Sequence, residues 1–306
     1  MKKVTLIISV FFSCIFPGYS QTDTIPAVAG DTVVIRQDPV ITDQHVKQKK
    51  RPLIKGEQVY KLKPAVDLPV VAVGTAWSLY AFTKIYNKPD PTLAELSALK
   101  KSDINSFDRW GQHKYDKNLD VNSYYPFYGA IPVPILLFLT GNNMRNDFWK
   151  LSFLYWETMS MTGLFGTSGT YWVDRWRPYS YSPETPLDDK LKHNPKNSFY
   201  AGHVELVATC TFFAAKVYSD YYPDSKVKWL FYGVAGAWTG SVAYMRLAGG
   251  MHFPSDILLG LTMGSLTGIL VPQFHKVEHS ASLGVLPFRS GDANGLTFVY
   301  RFKDKK

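Results

Sequence analysis

The sequence predicts an all-α protein: a helical bundle of about six main helices with a short C-terminal β-hairpin. Two observations predict it. Six apolar segments have helical length and Leu/Ala/Met content, namely Leu68–Tyr86, Tyr124–Gly141, Leu151–Val173, Val204–Tyr218, Val227–Met245 and Ile257–Val271. After the last of them the period changes. "LGVLPF" and "LTFVYRF" flank the turn-rich "RSGDANG", and Leu296, Phe298, Tyr300 and Phe302 alternate, the pattern of a hairpin over 281–306. Such a hairpin needs a second surface to be stable, here the helical body or a membrane.

Taken in chain order, residues 1–20 carry two lysines, an apolar run from Val4 to Phe16 and small residues before Gln21, the layout of a secretory signal peptide. Removing it leaves Cys210 as the lone cysteine, inside an apolar helical run, and no internal disulfide can form. Residues 21–66 are polar, contain proline and lack periodicity, which predicts a linker. Its end is basic: seven Lys/Arg against one Glu between Lys47 and Lys63, suited to solvent or to anionic lipid heads. The helical domain is expected over 67–280. "LAELSALKKSDINSFDRW" places Leu93, Leu96 and Leu99 on one face of a shorter amphipathic helix. Small residues in "GVAGAWTGSVA" and "GLTMGSLTG" predict close helix–helix packing for the last two segments.

The 306 residues are 46% hydrophobic, enough for one sizeable core. Mean hydropathy is −0.11, too low for a chain made only of membrane spans. The formal net charge of +9 suits anionic lipid heads, phosphate substrates or nucleic acid. Of these, lipid phosphates and membrane lipids are the expected partners, and nucleic acid is not.

Three clusters carry the chemistry: "DRWRPYSY" with Arg177, "SFYAGH" with Gly202 and His203, and "RLAGGMHFPSD" with Arg246, His252 and Asp256. Arginine grips phosphoryl oxygens through its planar fork. A helix starting near His203 would aim free N–H groups and its positive dipole end at an anion, and Gly202 would let that anion approach. His252 and Asp256 are four apart across a helix start marked by Pro254, a spacing that lets a carboxylate orient the imidazole of a nucleophile. His203 is left as general acid. His-x-His pairs and Cys/His clusters are absent, so neither a metal nor another cofactor is expected.

In this order the clusters resemble the type 2 phosphatidic acid phosphatase superfamily, which includes the vanadium haloperoxidases. Its motifs are Lys-x6-Arg-Pro, Pro-Ser-Gly-His and Ser-Arg-x5-His-x3-Asp. Arg177-Pro178, Gly202-His203 and Arg246…His252…Asp256 are similar to them in type and spacing, and "SDINSFDRW" is similar to a stretch upstream in bacterial members. Thr170, Tyr200, Ala201 and Met245 stand where the motifs have Lys, Pro, Ser and Ser. Arg175 supplies a replacement cation if the chain is extended there, since residues two apart then share a side.

The resemblance implies a metal-independent phosphatase that cleaves a phosphomonoester or pyrophosphate of a lipid. His252 would be the nucleophile, giving a phosphohistidine, with His203 as acid. Arg177, Arg246, Gly202 and Arg175 would hold the oxygens. A vanadate-dependent haloperoxidase and a catalytically weak or dead lipid-phosphate binder are the alternatives. It also implies a bacterial cell-envelope protein whose site faces the periplasm. With a cleaved signal, three full spans before Arg177 would place the site in the cytoplasm instead, so one of the three should not span.

Overall fold

Pro64 begins the first helix, where a missing N–H costs nothing. The computed structural model describes residues 58–192 and 194–277, and the backbone alone of 281–290 and 293–302. The expected signal peptide and nearly all of the expected linker lie outside the described residues.

The apolar segments become α1 (Pro64–Tyr86), α3 (Lys117–Ala130) with α4 (Val133–Phe138), α6 (Phe148–Trp172), α8 (Gly202–Tyr221), α9 (Val227–Ala248) and α10 (Pro254–His275). Short helices α2 (Leu93–Ser97), α5 (Asn142–Asn146) and α7 (Leu187–Leu191) lie between them. The second segment is two helices because Pro132 and Pro134 have no N–H to continue the ladder. The amphipathic helix expected around Leu93–Leu99 stops at Ser97. A capping box between Thr92 and Glu95 opens it, and Leu93 faces solvent.

Helix α8 is the centre, buried on most of its surface. Gly260, Gly264 and Gly268 of α10 lie against the carbonyls of Ala201, Glu205 and Thr209, so close that a Cβ at Gly264 would sit 2.1 Å from the Glu205 oxygen. That is the packing the small residues predict. Helix α9 differs: a Cβ at Gly233, Gly236 or Gly240 would meet nothing within 4 Å. Cys210 is core, as expected, 3.1 Å from the Tyr155 hydroxyl, and burial pushes its thiol up to about 12.

Helices α1 and α6 run parallel. Gly74 packs on Ser160, Ser78 on Gly163, and Lys88 reaches the Thr170 carbonyl at 2.8 Å. Helices α1 and α10 are long and apolar enough to cross a membrane. Val73, Leu79 and Phe82 on α1, and Leu258, Leu266 and Phe274 on α10, are exposed. Lys61 N–H donates to His275 O at 2.8 Å and Val277 N–H to Val59 O at 2.9 Å, tying the start of α1 to the end of α10.

The expected fold class is corrected at its C-terminus. The folded domain is all-α, and a packed β-hairpin is not one of its layers. The backbone ladder of Ala281–Ser290 with Ala293–Phe302 is a two-stranded sheet, with no third strand among the described residues.

Candidate active site

The three clusters meet at one end of the bundle. After α6 the chain runs extended, as required for Arg175 and Arg177, and pairs with the segment before α8. Arg175 N–H donates to Lys196 O, Ser198 N–H to Arg175 O (both 3.0 Å) and Arg177 N–H to Pro195 O (2.7 Å). The third cluster arrives on the turn between α9 and α10. Gly250 there has φ +71°, a conformation that favours glycine, and a Cβ would lie 2.6 Å from the Lys114 carbonyl. The turn lays His252 back over Arg246, whose carbonyl accepts its N–H at 3.3 Å.

A cavity of about 490 Å³ opens here. Arg177, Arg246, His203, His252 and Gly202 line its polar end. The Arg177 Nε–H donates to Asn194 O at 3.0 Å, and one terminal nitrogen donates to Met251 O at 2.8 Å and stands 3.5 Å from His252 Nε2. Arg246, 1% exposed, donates to Asp120 Oδ1 at 2.5 Å and Ser123 Oγ at 3.2 Å, while its Nε–H is buried without a partner. His203 packs edge-on against Tyr124 and tilted against Phe127, with its Nε2 also buried and unpartnered. No side chain caps α8, because Ala201 has no oxygen to offer, and the space at Gly202 is open. Orphan donors, a bare helix N-terminus and two guanidinium groups around one space suit a tetrahedral anion.

Both histidines are held well below the usual imidazole value. Burial is the main cause for each. For His203, Arg246 and then Arg177 add to it; for His252, Arg177 and then Arg246. Both are therefore neutral at pH 7. His252 Nδ1 lies 2.7 Å from the Ser198 carbonyl, so it carries the hydrogen and Nε2 presents its lone pair to the cavity.

Two expected roles change. Asp256 does not touch the His252 ring. It accepts from Ser198 Oγ at 2.7 Å, from the Phe253 N–H at 3.0 Å and from Arg175. Its hold on the imidazole passes through Ser198, because the helix start turns its carboxylate back onto its own first turn. Arg175 does not line the cavity. It is bound to Asp256, to Asp108 at 2.6 Å and to Ser255 at 2.9 Å, and lies over the Phe253 ring. Asp108 and Asn105, from "SDINSFDRW", complete that cluster, with Asp108 accepting the Ser255 N–H at 2.8 Å. Local spacing missed Ser198, Asp120 and Glu205. Glu205 lines the cavity, accepts from Tyr200 OH at 2.6 Å, and is pushed by burial up to about 8.

The PAP2 superfamily sequence profile matches residues 151–279, the stretch that holds every one of these motif residues. This part of the chain is similar to the PAP2 superfamily. No curated protein matches the chain significantly. Among solved structures, a transmembrane PAP2 type phosphatidylglycerolphosphate phosphatase from Bacillus subtilis is similar, with 21% identity over 67% of this chain and 94% of that chain and a TM-score of 0.43. An overlay that loose decides neither detail of fold nor substrate. Within the PAP2 pattern, Thr170 takes the lysine position and lines the cavity with its hydroxyl directed to Gly166 O at 3.3 Å. The nearby Lys88 amine is spent on the Thr170 carbonyl and on Asp174 at 2.7 Å.

Proposed function

We propose that the protein is a phosphatase of membrane lipid phosphates that works through a phosphohistidine on His252. The observation that carries this reading is the cavity itself. At its closed end two arginines, two neutral histidines and an uncapped helix converge. From there it follows α6 from Thr170 to Trp156 along α1, about 21 Å of helix, between Leu79, Phe82, Met159 and Leu206. A polar pocket at the end of an apolar slot suits a phosphorylated head on an acyl chain.

The geometry supports these steps. His252 Nε2 attacks phosphorus in line, the P–N bond forms, and the P–O bond to the leaving group breaks. Arg177, Arg246 and the Gly202 amide take the charge on the phosphoryl oxygens. His203, neutral at rest, acquires its proton with the substrate: a phosphate monoanion brings one, and its charge offsets the guanidinium groups that keep the ring deprotonated. His203 then protonates the leaving oxygen. Water attacks the phosphohistidine, gives its proton to His203 and frees phosphate.

The orientation that fits is a site facing away from the cytoplasm. Lys61 and Lys63 lead into α1 and Lys276 follows α10, and these lie at the end opposite the cavity. Basic flanks favour the cytoplasmic side. A cleaved signal with α1 spanning would put the cavity inside, so those two expectations exclude one another.

The test is phosphate release from phosphatidic acid, phosphatidylglycerophosphate and undecaprenyl pyrophosphate by the purified wild type and by His252→Ala. Release by the wild type alone is expected. Equal release by both sinks the mechanism, and binding without release by either marks a lipid-phosphate binder.

A further inference from the structure

A second polar cluster lies at the other end of the bundle. Asp67 from the first turn of α1, Glu157 from α6 and His275 from the last turn of α10 are 2%, 5% and 8% exposed, and none of them lines the phosphate cavity. One oxygen or nitrogen from each lies within 4.8 Å of the others. His275 Nε2 stands 3.2 Å from Asp67 Oδ1 and 3.3 Å from Glu157 Oε2.

We propose that these three side chains bind one divalent transition-metal cation of the zinc class. Four features converge on this. Glu157 Oε2 is buried and makes no hydrogen bond, although it faces the imidazole. His275 Nδ1 donates to the Val271 carbonyl at 2.8 Å, the backbone contact that fixes a metal-binding tautomer and leaves the Nε2 lone pair aimed at both carboxylates. The imidazole–carboxylate distances exceed the ~2.7–2.9 Å of a charge-assisted hydrogen bond. They come close to ~3.4 Å, the edge of a tetrahedron with ~2.1 Å bonds to the metal. Finally, two buried carboxylates facing one imidazole make a donor set whose negative charge a divalent ion would offset.

The donor set of one nitrogen and two carboxylates fits zinc or manganese better than the oxygen-only preference of calcium or magnesium. Three protein ligands leave a fourth position for water. The ligands are held from outside as well. The Lys63 N–H takes the second oxygen of Asp67 at 2.5 Å, and the backbone bonds of Lys61 and Val277 clamp His275. Occupancy would lock α1 and α10 to α6 and so hold closed the far end of the α1–α6 slot. The site is independent of the phosphatase chemistry, so its test does not depend on activity.

The tag-free, full-length protein in detergent is stripped with chelator and then titrated with zinc, with magnesium as the control. Metal content is measured after gel filtration, with thermal unfolding alongside. One zinc per chain is expected, with a rise in Tm that magnesium does not give. Glu157→Gln and His275→Ala should retain at least tenfold less zinc, while His252→Ala retains it fully. If the variants fail to fold, cobalt added to the wild type should give visible ligand-field bands that zinc abolishes. A wild type without zinc-dependent Tm or cobalt bands overturns the proposal in favour of a proton-bridged ion triad. Loss of zinc in His252→Ala overturns it in favour of a metal in the cavity.

Discussion

Arg175 and Arg177 are two positions apart and do different work. Arg177 faces the cavity, and Arg175 neutralises the buried Asp108 and Asp256. Arg177→Ala should therefore cost about 10²–10³ in kcat/KM, as for loss of one oxyanion donor. Arg175→Ala should instead destabilise by about 3 kcal/mol, because it leaves two buried carboxylates unpaired. Thermal unfolding beside steady-state kinetics separates the two, and a large kinetic effect of Arg175→Ala with unchanged Tm would restore it as a phosphate ligand. The histidines predict a pH dependence of stability. Their folded values lie below the unfolded imidazole value of about 6.5, so protons favour the unfolded chain. Stability is full above that pH and falls below it, by up to about 1.4 kcal/mol per pH unit for each histidine until its folded value is reached. His203→Asn should flatten the fall of Tm between about pH 6.5 and 5, and an unchanged slope would show that His203 is already charged.

Among the helices, the contact of α10 with α8 is the tightest constraint on the site, because it brings Asp256 to Ser198 and leaves the start of α8 bare. Gly264→Ala drives a methyl into the Glu205 carbonyl and should cost about 1–3 kcal/mol. Gly236→Ala on α9 meets nothing and should stabilise by up to about 1 kcal/mol through helix propensity. The pair, compared by Tm, tests whether backbone contact or glycine count matters. Equal effects would place the α8–α10 contact elsewhere.

For the whole molecule, the exposed apolar faces of α1 and α10 and their basic flanks predict a membrane protein with its cavity outside. In a chain lacking Cys14 and Cys210, a cysteine at Glu184, near the cavity end, should react with an impermeant thiol reagent on intact cells. One at Lys226 should react only after lysis. The reverse pattern would place the cavity in the cytoplasm, as a cleaved signal with a spanning α1 requires.

By itself the sequence determined the helical segments and most of the phosphate site. Apolar length and periodicity act within one segment, and Arg177, Gly202, His203, Arg246 and His252 lie within short motifs. Tertiary structure decided what depends on distant partners. It turned Arg175 toward Asp108, routed Asp256 to His252 through Ser198, and paired Arg246 with Asp120. The hairpin alternation was legible, but whether a face is buried depends on a partner layer that no local pattern encodes. His275 shows the limit most plainly. It gains Asp67 and Glu157, both far away in sequence, only when α1, α6 and α10 pack, since charge and coordination are set by distance in space.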